Sequence, residues 1–229
     1  MINKEKHRFI LLNILKDIYK DSQIRTFLGF KGGTALYFFY DLPRFSTDLD
    51  FDLIQGDEKV VLKKVKDILN KYGEIKEARN KRNTLFFLLS YDGEARNIKI
   101  EVSKRDYPNR YEMKDYLGIS MKVMKKEYMF AHKLVALLDR PAIANRDLFD
   151  LWFFMKESAD FNKKIIKIRT EMEVGKYFEK CIEKLEKINE KYLLQGMGEV
   201  LEESQKEWVK NELKDELLFL FRYYLKNKI

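Results

Sequence analysis

The sequence predicts an α+β fold in which the strands are confined to the first half of the chain. Three segments of that half have the alternating or continuously apolar pattern of strands, namely residues 47–53, 85–91 and 97–102. From about residue 120 onward, apolar residues recur at the three- and four-residue spacing of helices. We therefore predict an α+β domain over residues 1–118 and an all-helical domain over residues 119–229.

The first half also contains three predicted helices. Residues 4–20 place apolar side chains at helical spacing, and residues 32–40 form a short helix that starts at a glycine turn and ends before Pro43. Residues 58–72 form an amphipathic helix that ends at Gly73. The first domain is therefore expected to combine helices and strands.

The predicted strand at residues 47–53 carries a carboxylate at every second position. Since side chains alternate between the two faces of a strand, Asp48, Asp50 and Asp52 share one face, and the apolar residues between them share the other. Three acids on one face repel one another unless a cation lies between them. Strand carboxylates beside a glycine turn hold Mg²⁺ against a nucleoside triphosphate in many phosphoryl-transfer sites.

A calcium-binding loop of the EF-hand type is excluded for this stretch. Such a loop starting at Asp48 needs glycine at its sixth position and glutamate at its twelfth, where this chain has Leu53 and Lys59. The remaining alternative to a metal site is an edge strand whose acidic face is exposed to water.

The predicted strand at residues 97–102 supplies one more carboxylate. Its apolar residues share one face, so Lys99 and Glu101 lie on the opposite face. If this strand lies beside residues 47–53, Glu101 joins Asp48 and Asp50 in one site, as two-metal phosphoryl transfer requires. The alternative is that Glu101 is an ordinary ion-pair partner of a lysine on the sheet.

Composition limits the class of protein. The chain of 229 residues has a net charge of +8 and a single cysteine, Cys181. It lacks an apolar run of the about 18 residues that a membrane-spanning helix needs. We therefore expect a cytoplasmic protein with no membrane segment and no internal disulfide.

The positive charge lies mostly in residues 1–160, which hold 30 Lys and Arg against 24 Asp and Glu. Basic residues cluster at 79–82, at 104–105 and at 122–126. They indicate either a lysine-rich surface exposed to water or a surface for a polyanion, whose phosphates release counterions on binding.

Two stretches together resemble the signature of the AbiEii-type nucleotidyltransferases, which are toxins of abortive-infection and toxin–antitoxin systems. They are Gly32-Gly33-Thr34-Ala35-Leu36 and Arg44-x-Ser46-x-Asp48-x-Asp50-Phe51. The wider DNA polymerase β-like superfamily has a Gly-Ser turn, a short helix and then Asp-x-Asp. This chain has Gly-Thr at the turn and a longer gap of 14 residues before Asp48, which is typical of the AbiEii subgroup.

Two further motifs of the family fit the helical half. Lys133 starts the pattern K-x-x-A-L-x-x-R, which ends at Arg140, and a second pattern starts at Arg146. The resemblance implies that Lys133 reaches nucleotide phosphates and takes part in catalysis with Asp150. From the residues alone, Lys133 could equally extend to water, and Arg146 and Asp150 could be a surface pair. The helix dipole favours Asp147 in a first helical turn whatever its function.

The resemblance also implies a small mixed sheet flanked by helices, with a helical domain that contributes to the active-site cleft. It implies that Mg²⁺, or alternatively Mn²⁺, is held by Asp48, Asp50 and Glu101. The residues expected to bind the nucleotide are Lys31, Gly32, Gly33, Thr34, Arg44, Ser46, Lys133, Arg146 and Asp147.

The implied function is Mg-dependent transfer of a nucleoside monophosphate from an NTP to an acceptor hydroxyl. Family members are held in check by a cognate antitoxin, and some modify the acceptor end of tRNA. The implied partners are therefore an NTP, tRNA or another RNA, and an antitoxin protein. Two alternatives stay open: transfer to a small molecule or a protein hydroxyl, and a non-catalytic module of the same fold that binds nucleic acid or an antitoxin.

Overall fold

The computed structural model describes residues 2–93 and 96–229, and it divides into two compact units, residues 1–125 and 126–229. The predicted domain boundary at 118/119 falls earlier than this division. The difference arises because residues 119–124 form a strand of the sheet of the first unit. Their alternating burial is the period-two pattern of a strand, in a stretch for which the sequence analysis expected helix.

The first unit is built on one mixed sheet. Its elements in chain order are α1 (Lys4–Lys20), β1 (Leu28–Lys31), α2 (Gly32–Phe39), β2 (Leu49–Leu53), α3 (Glu58–Leu69), β3 (Glu74–Lys81), β4 (Thr84–Ser90), β5 (Asn97–Ser103), β6 (Tyr111–Tyr116) and β7 (Ile119–Met124). The strand order is β3-β4-β5-β2-β1-β7-β6. The pairs β2–β5 and β1–β7 are parallel and the other pairs are antiparallel. The predicted α+β class is therefore confirmed.

The centre of the sheet is fully buried on its apolar face. Leu49 and Phe51 of β2 and Ile100 of β5 are 0% exposed, which explains why apolar residues alternate with acids along these strands. Helix α1 contacts α3 and β7, and α3 contacts β3 and β4. The apolar alternation thereby fixes the register, because a slip by one residue would bury the acids.

Side chains cap the two long helices of this unit. The Asn3 side chain accepts a hydrogen bond from the backbone of Lys6, and the Asp57 side chain accepts one from Lys59. Such caps each stabilise a helix by about 1 kcal/mol. Helix α2 differs, because it starts directly from β1 at Gly32 and no side chain caps its N-terminus.

Besides β7, three further strands were not predicted. Strand β3 is mostly polar and exposed at the sheet edge, β1 has only four residues, and β6 alternates weakly. These segments are strands because they pair with a neighbouring strand. Their own alternation of apolar and polar residues is too weak to predict a strand from the sequence.

The second unit is helical, as predicted for that half of the chain. Its helices are α4 (Lys126–Asp139), α5 (Asn145–Lys156), α6 (Lys163–Thr170), α7 (Val174–Glu186), α8 (Glu203–Asn211) and α9 (Leu213–Asn227), with a 3-10 turn at Glu190–Tyr192. Helix α5 is buried along Asp147–Met155, so it is the core element of this unit. The ring of Phe130 on α4 stacks on Phe154 of α5 with centroids 4.7 Å apart.

Within the described ranges, none of the helices is both long enough and apolar enough to span a lipid bilayer.

Candidate active site

The acidic face predicted from the sequence is formed by two adjacent strands. Strand β2 lies parallel to β5, and Asp50 is directly opposite Glu101. Asp48, two residues before Asp50, precedes the strand on the same side. The three predicted metal ligands are therefore carried by neighbouring parts of one sheet.

A lysine lies among these acids. The Nζ atom of Lys99 is 3.3 Å from Oε2 of Glu101 and 3.6 Å from Oδ2 of Asp48. Burial acts to lower the pKa of Lys99, but the carboxylates of Asp48, Asp50 and Glu101 outweigh it, so the pKa is raised. The sequence analysis considered a lysine only as an alternative partner for Glu101. The structure shows that its ammonium neutralises part of the acidic cluster.

Asp50 is the most constrained member of the cluster. Burial raises the pKa of its carboxyl above the ordinary value, and the charges of Asp48 and Glu101 add to the rise against the opposing charges of Lys99 and Lys31. Its Oδ2 atom lies so close to Gly32 that a Cβ atom there would be 2.5 Å away. This contact joins the acidic face to the N-terminus of α2.

Asp52, the third acid of the alternation, has a different environment from the other two. Its buried carboxylate accepts hydrogen bonds from Lys31 at 2.6 Å, from Tyr111 at 2.7 Å and from Asn109 at 3.1 Å. Burial raises the pKa of the Tyr111 hydroxyl, as does the charge of Asp52. This network connects the edge strand β6 and the loop before it to the central strand β2. It also occupies Lys31, whose predicted contact with the triphosphate stays a prediction.

Three other predicted nucleotide-binding residues, Thr34, Arg44 and Ser46, are buried around the start of α2. The Thr34 hydroxyl donates to Oγ of Ser46 at 3.0 Å and also contacts the carbonyl of Asp48. A Cβ atom at Gly33 would lie 2.8 Å from Oγ of Ser46 and 3.0 Å from Nη2 of Arg44. These residues hold the glycine turn against the residues that lead into β2.

His7 is a further residue of this region, and the sequence analysis did not name it. It is buried on α1, with Nε2 2.9 Å from the carbonyl of Thr47 and Nδ1 2.8 Å from the hydroxyl of Tyr91. Burial lowers the pKa of His7, so the neutral ring donates to Thr47 and accepts from Tyr91. The sequence offered one indication of this role: His7 is a polar residue at a position of α1 where the helical spacing predicts a buried side chain. The ring holds the backbone directly before Asp48.

The second unit brings together the residues of the other two motifs. Nζ of Lys133 on α4 lies 2.5 Å from Oδ1 of Asp147 and 2.7 Å from Oδ2 of Asp150, both on α5. Nη1 of Arg140 is 2.9 Å from the other oxygen of Asp147, although not aligned as a hydrogen bond. Arg146 lies half-buried in the first turn of α5.

This lysine does not extend to water, which the sequence left open. The Lys133 side chain is 17% exposed and that of Asp150 is 0% exposed, so the pair is desolvated. Buried carboxylates of this kind require a partner because each unpaired charge costs several kcal/mol. Lys133 therefore offsets the buried charges of Asp147 and Asp150 within the second unit, whatever else it does.

The acidic face suits a metal ion in its donor type. Carboxylate oxygens are the ligands that Mg²⁺ and Mn²⁺ prefer, and Asp50 and Glu101 supply them from directly paired positions of β2 and β5. In the structure as described, over residues 2–93 and 96–229, no three His, Cys, Asp or Glu side chains are positioned to hold a metal together. The chemistry of these donors therefore suits such an ion, although their side chains as placed do not form a three-ligand cluster and the Lys99 ammonium lies among them.

The mixed sheet and its acidic face beside a glycine turn define a nucleotidyltransferase fold. The chain belongs to the AbiEii family: the family model described as nucleotidyl transferase AbiEii toxin, type IV toxin–antitoxin system, matches residues 13–217. It is therefore a nucleotidyltransferase of a toxin family, as the sequence motifs implied. No curated protein matches the chain.

Two solved structures from Helicobacter pylori have the same fold. A provisionally assigned nucleotidyltransferase aligns with a TM-score of 0.66 at 23% identity, over 99% of this chain and 96% of its own. The protein JHP933 aligns with a TM-score of 0.66 at 24% identity, over 99% of this chain and 93% of its own. Similarity at this level of identity establishes the shared fold alone.

Proposed function

We propose that this protein transfers a nucleoside monophosphate from an NTP to a hydroxyl of RNA, with Asp48 and Asp50 holding the required Mg²⁺. The observation that carries the proposal is the parallel pairing of Asp50 with Glu101 beside the glycine turn of α2. A binding module would have no need to keep three carboxylates close together at the cost of their repulsion.

Three carboxylates of the acidic face, those of Asp48, Asp50 and Glu101, each have a part in this reaction. Glu101 accepts the proton of the acceptor hydroxyl, whose oxygen forms a bond to the α-phosphorus while the bond to the β-phosphate oxygen breaks and pyrophosphate leaves. Mg²⁺, when bound, supplies the positive charge that offsets the triphosphate. Asp48 and Asp50 would hold it, since Asp50 lies on β2 and Asp48 directly precedes that strand.

The start of α2 would bind the phosphates. Its N-terminus carries no side-chain cap and no acid in its first turn, so the backbone N–H groups of Gly33 and Thr34 are suited to an anion. Arg44 and Ser46, whose side chains lie against Gly33, would keep this turn in position. We also propose that Lys133 neutralises the triphosphate, by exchanging one of its two carboxylate partners for a phosphate.

An RNA acceptor, and tRNA in particular, is proposed from the family and the positive charge of the first 160 residues. Part of that charge is already paired, since Arg79 lies 2.9 Å from Glu77 and Lys104 lies 2.9 Å from Glu58. This pairing favours the second candidate, transfer to a small molecule or a protein hydroxyl. Under either reading we propose a cytoplasmic protein that a cognate antitoxin inhibits.

The proposal is tested by incubating the protein and Mg²⁺ with each α-labelled NTP and total cellular RNA. We expect label in RNA of tRNA size with one preferred NTP, and none with Asp50→Asn. Label that resists ribonuclease but is lost with protease would identify a protein acceptor instead. Label in none of the RNA, protein or small-molecule fractions would overturn the proposed activity.

A further inference from the structure

The ammonium group of Lys99 supplies a positive charge among the carboxylates of the acidic face. Its Nζ atom lies between Glu101, at 3.3 Å, and Asp48, at 3.6 Å. Lys99 and Glu101 are two residues apart on β5, so they point to the same face of the sheet. Both contacts are longer than a tight hydrogen bond of about 2.8 Å, so the ammonium is held mainly by charge.

The Lys99 ammonium and a divalent metal ion would repel each other if both lay among these carboxylates. A divalent ion bound to Asp48 and Asp50 would repel an ammonium that remains close to Asp48. The Lys99 side chain is 35% exposed, so it can swing away toward water on its flexible stem. The acidic face can thus be neutral enough to fold before any metal arrives.

We propose that Lys99 is the internal counterion of the metal-free acidic face, and that divalent metal binds in competition with its ammonium. This inference rests on the proposed function, because it assumes that Asp48 and Asp50 are metal ligands. It assigns Lys99 a role that opposes metal binding. Metal affinity is therefore lower than three carboxylates alone would give, and the fold does not depend on metal.

The test compares metal binding and stability in Lys99 variants. Lys99→Met removes the charge and keeps the length of the side chain, and Lys99→Arg keeps the charge. Lys114→Met is a matched control, since Lys114 pairs with Glu112 at the same 3.3 Å, also two residues apart on one strand, but away from Asp48. Binding of Mn²⁺ is measured by the loss of its free-ion electron paramagnetic resonance signal, and thermal unfolding is measured in EDTA.

We expect Lys99→Met to bind Mn²⁺ about tenfold more tightly than the wild type, because one competing charge near a half-exposed site is gone. We expect it to unfold at a lower temperature in EDTA and to be stabilised more than the wild type by Mn²⁺. Lys99→Arg and Lys114→Met should both keep the wild-type Mn²⁺ affinity. Adding Asp50→Asn to Lys99→Met should abolish the tight site.

Unchanged or weaker Mn²⁺ binding by Lys99→Met would overturn the counterion role, as would an equal gain in Lys114→Met. If the wild type binds Mn²⁺ and Lys99→Met binds it no better, this inference alone fails. If Lys99→Met gains affinity but no NTP is ever consumed, the proposed function fails and the counterion role holds. Failure of both proteins to bind Mn²⁺ overturns this inference together with the metal site.

Discussion

The carboxylate of Asp50 lies against the Cα atom of Gly32, where an added Cβ atom would be 2.5 Å from Oδ2 of Asp50. Gly32 also has a φ angle of +79°, a conformation that residues with a side chain adopt only with strain. Both constraints act at the same residue, where β1 ends and α2 begins. The acidic face and the N-terminus of α2 can approach each other only because residue 32 lacks a side chain.

Replacing Gly32 by alanine should therefore damage both stability and activity. The positive φ angle alone costs about 1–2 kcal/mol, and the clash with Asp50 adds to it. We expect Gly32→Ala to lower the free energy of unfolding by more than about 2 kcal/mol and to abolish nucleotide transfer. Gly118→Ala is the control, because Gly118 has a φ of +76° and open space around it. Equal losses of stability in the two variants, measured by urea unfolding, would show that the Asp50 contact does not matter.

Removing the charge of Asp50 should separate activity from stability. Asp50→Asn loses a proposed metal ligand, so transfer should fall by more than the about 10–100-fold typical of an outer-shell partner. The metal-free fold should be as stable as the wild type or more so, because the variant removes a buried charge and its repulsion with Asp48 and Glu101, which outweigh the lost attraction to Lys99 and Lys31. Wild-type transfer by Asp50→Asn, measured with labelled NTP, would exclude the proposed metal site.

Asp52→Asn is the natural control for that variant, two residues along the same strand face. Asp52 accepts hydrogen bonds from Lys31, Asn109 and Tyr111, so an amide there leaves the Lys31 ammonium without its anion. We expect this variant to be clearly destabilised, by about 2 kcal/mol or more. The same chemical change should thus have opposite effects at neighbouring acids.

The sequence predicted the central strands and the acidic face well, for a physical reason. Strand β2 and strand β5 alternate fully buried apolar residues with polar ones, so their faces and their register follow from the pattern. The family motifs then identified Asp50 and Glu101 before their pairing was known. The motifs named Lys133 and Asp150 in the same way, and the functional roles of all four residues stay predictions.

The partners of these residues could not be predicted, because they depend on contacts between distant parts of the chain. The role of Lys99 follows from its distance to Asp48, which directly precedes β2, and that of His7 follows from a contact with Thr47. The three donors to Asp52 likewise come from β1, from β6 and from the loop before it. Asp52 thus has a structural role, whereas Asp48 and Asp50 remain candidate metal ligands.

His7 should make the stability of the first unit dependent on pH. Burial lowers the pKa of His7 in the folded state, against its usual value of 6.5 in the unfolded chain. Below pH 6.5 the unfolded chain binds a proton that the folded one does not, so stability is lost as the pH falls from 6.5 toward the folded pKa. The charge of Asp48 raises the folded pKa and that of Arg96 lowers it, and the hydrogen bond to Thr47 raises it as well.

The measurement is the free energy of unfolding between pH 7.5 and pH 5 for the wild type and for His7→Gln. The wild type should lose up to about 1.4 kcal/mol per pH unit through this group alone, and the variant should lack that contribution. Parallel curves for the two proteins would show that His7 does not set the dependence.

Lys133 should affect stability as well as activity. Lys133→Ala leaves Asp147 and Asp150 buried with one cation fewer, so the free energy of unfolding should fall by about 3–5 kcal/mol. Adding Asp150→Asn should restore part of that stability, because it removes one of the two buried negative charges that Lys133 offsets. Transfer should remain lost in the double variant if Lys133 neutralises the triphosphate. Recovery of transfer together with stability would reduce the role of Lys133 to folding.

The RNA acceptor should show itself in a steep dependence of binding on salt. Each phosphate contact contributes about 0.7–0.9 to the slope of log affinity against log salt concentration. Reversing the charge of Lys81 and Arg82 together should weaken binding of a tRNA and flatten this slope, while the affinity for free NTP stays unchanged. The control reverses Lys163 and Lys164, two exposed residues of α6 in the second unit, with the same change in net charge. A transferase for a small molecule would show a flat salt response in all three proteins. Equal losses in both variants would mean that overall charge, and not the cluster at residues 79–82, attracts the RNA.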